Sequence, residues 1–130
     1  MRSIEAEQIS STIYDLATEA AFELPEDVLD ALRAAAGRET GPAKTVLETL
    51  IENARVAAQE RVAMCQDCGL VVVFARIGRD CHIEGDLYEA VDRGVASAYE
   101  DGYLRKSVLR RPLERNSNTG DNTPAVVHCQ

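Results

Sequence analysis

The stretch Met64–Ile77, "MCQDCGLVVVFARI", marks a change of pattern in this chain. Before it, apolar residues recur at helical spacing. From Leu70 to Ile77 they run almost without interruption and are rich in β-branched side chains, which predicts a buried strand. The switch predicts an α+β fold, with a mainly helical N-terminal layer over residues 1–62 packed on a small β-sheet that starts at Leu70. The segment 63–78 then holds a Cys-Gln-Asp motif followed by the strand.

Upstream, Ile9, Ile13, Leu16 and Ala20 predict a first helix. Pro25, Glu26 and Asp27 suit a second helix start, and Val28, Leu29, Leu32 and Ala36 carry its stripe to a stop at Gly37. A third helix begins near Pro42 and presents Val46, Leu47, Leu50, Ile51, Ala54 and Ala58. Downstream, Gly78 and "RDCHIEGD" read as a turn and loop. Asp86 can cap a fourth helix with Leu87, Ala90, Val91, Val95 and Ala98 on one side. That helix and a basic segment fill residues 86–115. The turn-rich "NSNTGDNTP" and the opening of another strand, "AVVHC", fill 116–130. A strand that has just begun is a poor natural terminus, so we expect residues 1–130 to be the N-terminal part of a longer chain.

The totals set limits on function. A length of 130 residues and a 45% hydrophobic content fit one globular domain. With 5% aromatics and no Trp, its core is expected to be Val, Leu, Ile and Ala. A net charge of -8 argues against nucleic-acid binding, which needs a basic footprint. No apolar run approaches the ~20 residues of a membrane span. The N-terminus lacks a secretory apolar block, which predicts a cytoplasmic protein. In that compartment the four cysteines, Cys65, Cys68, Cys81 and Cys129, are not expected to form disulfides.

Cys65 and Cys68 admit three readings. A zinc site needs two further ligands at regular spacing, but Cys81–His82 and His128–Cys129 are adjacent pairs. A redox dithiol normally follows a strand and opens a helix, whereas this motif follows a helix and precedes a strand. In the third reading only one thiolate matters, as one of several scattered ligands to an iron–sulfur cluster. Gln66 and Asp67 would then stand beside it on an irregular turn at Gly69. Separately, Arg105, Lys106, Arg110, Arg111 and Arg115 place five cations within eleven positions of an acidic chain. They suggest an anion site, or pairing with the acidic helices.

Two segments together resemble one family. "CQDCG" resembles the CQD(T/S)G motif of the iron–sulfur-dependent hydro-lyases, namely class I fumarate hydratases and tartrate dehydratase alpha subunits. "RNSNTGDNTPAVVH" resembles that family's NTGxNxPA segment, and the intervening "AYEDGYLRKS" fits as well. The resemblance is good over residues 40–130 and looser over the opening helices. It implies a 4Fe–4S cluster held by three cysteines in the complete enzyme, with one iron open to a small dicarboxylic acid of the fumarate/malate or tartrate type. It further implies that Cys65 is the first cluster ligand, that Gln66 and Arg105 bind substrate, and that Asp67 performs acid/base work. The other two cluster cysteines and the proposed catalytic base would lie beyond Gln130. This stretch alone is therefore expected to hold no cluster and to be inactive, and a C-terminal domain or separate beta subunit is the expected partner. One departure is Cys68, which stands where the family has Thr or Ser and reads as a small, partly buried side chain. Truncated apolar faces predict a homo-oligomer. Two competitors are a non-catalytic helical interaction module and a small zinc protein that uses Cys65 and Cys68.

Overall fold

The computed structural model describes residues 2–130. In order they form β1 (Arg2–Glu5), α1 (Ala6–Phe22), α2 (Glu26–Ala36), α3 (Gly41–Glu60), β2 (Val72–Ala75), β3 (Cys81–Glu84), α4 (Leu87–Asp101) and β4 (Val126–Cys129). The class is α+β, as the change of pattern at Gly69 predicts. No helix among the described residues is long and apolar enough to cross a membrane. The chain divides into two compact units. One combines the residues up to Thr18 with Gln66–Gln130; the other is Glu19–Cys65.

In the Glu19–Cys65 unit, α2 packs on α3. Phe22, Ala36, Ala54 and Ala57 form its buried centre. Small alanines let the helices approach closely, but much of the predicted α3 stripe stays open, with Val46 59% and Leu50 47% exposed. Arg61 ends α3 in the left-handed region (φ 56°) and donates its N–H to Ala57 O. Its guanidinium lies 5.1 Å from the Phe22 ring centroid and 2.9 Å from Glu23. Met64 is then tied on both sides: its N–H donates to Ala21 O at 3.1 Å, and Asn53 Nδ2 donates to its carbonyl at 2.8 Å. These bonds fix the residue before Cys65.

The other unit is centred on α4. Asp86 caps it by accepting from Glu89 N–H at 3.0 Å, as the sequence predicts. Ala90, Val91, Gly94, Val95, Ala98 and Tyr99 are its buried face. Gly94 permits the close approach of α1: a Cβ there would sit 2.5 Å from Ser10 O and 2.8 Å from Ile13 Cβ. This unit also holds two small parallel sheets. β1 pairs with β3 in the register Arg2↔Cys81 to Glu5↔Glu84. β2 pairs with β4 in the register Val72↔Val126 to Ala75↔Cys129. An apolar groove of about 650 Å³ opens within this unit, lined by Ile4, Ile13, Val73, Ile77, Ile83 and Val91 among others.

Three expectations need correction. The chain does not open as a helix, because Arg2–Glu5 is a strand; nor is "RDCHIEGD" all turn and loop, because Cys81–Glu84 is its partner. Each is too short to show a period, and each gains its ladder only from the other. Within the run Leu70–Ile77, Val72–Ala75 forms a strand, flanked by backbone bonds at Val71 O and Ile77 N–H. It is not buried on both faces, however. Val72 is 44% and Phe74 80% exposed, and Phe74 stacks on its cross-strand neighbour His128 at 5.0 Å.

Candidate functional site

The motif loop after Cys65 lacks regular structure, and local chemistry shapes it. Gly69 adopts φ 60°, which a β-carbon would strain. The Gly69 N–H donates to Asp67 Oδ1 at 3.2 Å, so the Asp67 carboxylate folds the loop back on itself. Cys65, Gln66 and Asp67 are exposed, while Cys68 is half-buried. Cys65 closes the Glu19–Cys65 unit, and Gln66 begins the returning segment of the other.

Within that second unit the loop is held from three directions. The Tyr99 hydroxyl, near the end of α4, donates to Cys68 O at 2.7 Å. Asn122 Nδ2 donates to Gly69 O at 3.1 Å. Cys68 Sγ accepts the Arg105 N–H at 3.2 Å. The loop bearing Gln66 and Asp67 therefore meets the segment bearing Arg105. The half-buried Cys68 side chain occupies the motif position of a hydroxyl residue and acts as an acceptor for that segment.

Asn122 has no exposed surface and takes a left-handed conformation (φ 65°), which Asn tolerates better than most residues. Its Oδ1 accepts from Ser107 N–H at 2.6 Å and Val108 N–H at 3.0 Å. The surrounding turn is stitched to the same segment. Asn118 Nδ2 donates to Lys106 O at 2.9 Å, Thr119 N–H to Val108 O at 3.0 Å, and Arg110 N–H to Ser117 O at 2.8 Å. Asp121 accepts from Thr123 N–H at 3.0 Å, and this bond pulls its carboxyl below the usual range against a smaller opposing effect of burial. Burial pushes the Tyr99 phenol up, the charge of a Cys68 thiolate adds to this, and the Asn122 side chain partly opposes it. The Asn/Thr/Gly run is thus a structural brace as well as a tight loop.

The basic segment divides. Lys106 pairs with Glu100 of α4, and Arg111 pairs with Glu114 at 3.1 Å. Arg105 keeps its side chain exposed. Its main chain is anchored at its own N–H by Cys68 and two residues later by Asn122.

The donor chemistry here fits a cluster only in part. Cys65 offers an exposed thiol on a fixed approach, suited to one ligand position. Among the described residues, no group of three or more His, Cys, Asp or Glu side chains is placed to hold a metal ion.

Sequence reasoning did not single out Tyr99 or Asn122. Tyr99 was detectable in principle: it extends the Val91–Val95–Ala98 stripe, and a tyrosine on a buried face needs a hydroxyl partner. Asn122 occupies the second Asn of the NTGxNxPA resemblance, which marks the position but assigns it no role.

A family model described as Fumarate hydratase (Fumerase) matches residues 10–130. A protein of Methanocaldococcus jannaschii named "Putative L(+)-tartrate dehydratase subunit alpha" is 36% identical over 125 residues, covering 92% of this chain and 44% of that protein. Fumarate hydratase 2 of Leishmania major is 35% identical over 83 residues, covering 63% of this chain and 15% of that protein. L(+)-tartrate dehydratase subunit alpha of Escherichia coli K12 is 28% identical over 107 residues, covering 80% and 35%. The chain spans less than half the length of each of these relatives.

Proposed function

Given that the chain belongs to the fumarate hydratase family, we propose that it forms part of an iron–sulfur hydro-lyase that adds water to, or removes it from, a small dicarboxylic acid of the fumarate/malate or tartrate type. The observation that supports this most directly is the hydrogen bonding between the two motif segments, with Asn122 reaching Gly69 at 3.1 Å. Residues far apart in sequence that carry the family resemblance lie on one scaffold.

On this reading Cys65 supplies one thiolate to a 4Fe–4S cluster. When bound, that group supplies a Lewis acid that weakens the substrate C–O bond. The other two cluster cysteines are those the family resemblance puts downstream of Gln130, and the partner is a C-terminal domain or a separate beta subunit. Asp67 holds or releases a proton at its carboxylate beside the reacting carbons, oriented by the Gly69 N–H. Gln66 offers its amide to a substrate oxygen. Arg105 grips a carboxylate with paired N–H donors, which limits the freedom of the bound acid. The protein works in the cytoplasm, and as a homo-oligomer.

The test is anaerobic iron and sulfide reconstitution of the full-length parent, assembled with any separate subunit. We expect broad visible absorption and dicarboxylate hydration. Cys65→Ala should lose the absorption and the activity. Asp67→Asn should keep the absorption and lower kcat by roughly 10²–10⁴-fold, the range for a lost acid/base group. Residues 1–130 alone should bind no stoichiometric cluster and turn over nothing. Activity surviving in Cys65→Ala without visible absorption would reject the reading.

A further inference from the structure

We propose that Tyr99 and Asn122 are positioning residues of this site, a clamp that sets the place of the Gln66–Asp67 loop against Arg105. The proposal rests on the hydro-lyase reading above and adds to it two residues that need not touch substrate.

The loop lies outside any helix or strand, and its Gln66 and Asp67 side chains are exposed. Its carbonyls at Cys68 and Gly69 are taken by Tyr99 and Asn122, whose own side chains are almost wholly buried, at 3% and 0% exposure. Asn122 uses both ends of its amide. One end binds the motif loop, and the other binds Ser107 and Val108, so a single planar group fixes the spacing of the two segments. Arg105 lies between two anchors, the Cys68 sulfur on its own N–H and Asn122 on the N–H of Ser107. Asp67 is one residue from the clamped Cys68 carbonyl. One buried amide, satisfied on both ends, thus ties the turn to both segments.

Misplacing reacting groups by about 1 Å can cost roughly 10²-fold in rate. In the reconstituted full-length enzyme, at equal iron content per chain, Asn122→Ala should lower kcat/KM by roughly 10–100-fold, with a rise in KM for the dicarboxylate as Arg105 loses its register. The deciding readout is a double-mutant cycle. If Asn122 acts through Arg105, the pair Asn122→Ala with Arg105→Ala should be within about threefold of Arg105→Ala alone. Losses that multiply would make Asn122 a general stabiliser and overturn the proposal, as would an unchanged kcat/KM. Should Asn122→Ala fail to fold, Tyr99→Phe, which removes the hydroxyl's bonds to Cys68 O and Gly69 O and keeps the ring, carries the same cycle with an expected loss of about 3–10-fold. A wild-type enzyme that takes up its cluster but hydrates no dicarboxylate overturns the reaction assignment, and the positioning role with it. An active wild type with silent clamp variants overturns the clamp alone.

Discussion

At the scale of single residues, the Cys65/Cys68 pair separates into two jobs. Cys65 is exposed at the end of a segment pinned through Met64, whereas Cys68 turns its sulfur to a backbone N–H. A thiol is a weaker acceptor than the hydroxyl it replaces in the family motif, and Tyr99 supplements it by holding the carbonyl of the same residue. Tyr99 also makes a pH prediction. Its folded-state pKa lies above the ordinary phenol value of about 10, chiefly because the ring is buried. The stability linked to the protonated phenol is therefore complete below about pH 10 and falls as pH rises through the elevated folded value. Urea unfolding at pH 8 and pH 11 should show a larger loss for the wild type than for Tyr99→Phe. Equal losses would mean that the buried phenol has no part in alkaline destabilisation.

At the scale of elements, legibility followed the range of the interactions. The four helices carry their own signals, including Asp86 at a cap and Gly37 just past an end, and they fall where those signals place them. The strands do not. β1 and β3 are four residues each, and what makes them strands is their pairing across the unit. Gly94 lies between these cases. It looks like a weak point in a helix until α1 is seen against it, with Ser10 and Ile13 inside the space a β-carbon would need. Gly94→Ala would raise intrinsic helix propensity by about 0.8–1.0 kcal/mol yet overpack this crossing. We expect a net destabilisation of about 1–3 kcal/mol by denaturant titration, the usual range for overpacking. A stabilised variant would show that the two helices can part at no cost.

For the whole molecule, the exposed faces bear on assembly. Val72, Phe74 and Val126 share one side of the β2–β4 sheet and are 44%, 80% and 43% exposed. Short parallel sheets are normally covered on both faces, and an open apolar face favours association. Residues 1–130 should therefore self-associate in light scattering at micromolar concentration, and Phe74→Glu should shift them towards monomer. A monodisperse wild-type monomer would show that this face tolerates water.

The amino-acid sequence by itself determined the helices, the switch to strand after Gly69, the family and the identity of Cys65, Gln66, Asp67 and Arg105 as candidates. These depend on local periodicity, capping and motif order, which neighbouring residues carry. Only the tertiary structure decided that the motif loop and the Arg105 segment meet, and that Tyr99, Cys68 and Asn122 hold them together. Only it decided which distant tetrapeptides pair as strands. Such contacts join residues tens of positions apart, and their hydrogen bonds form only after the chain has closed the loops between them.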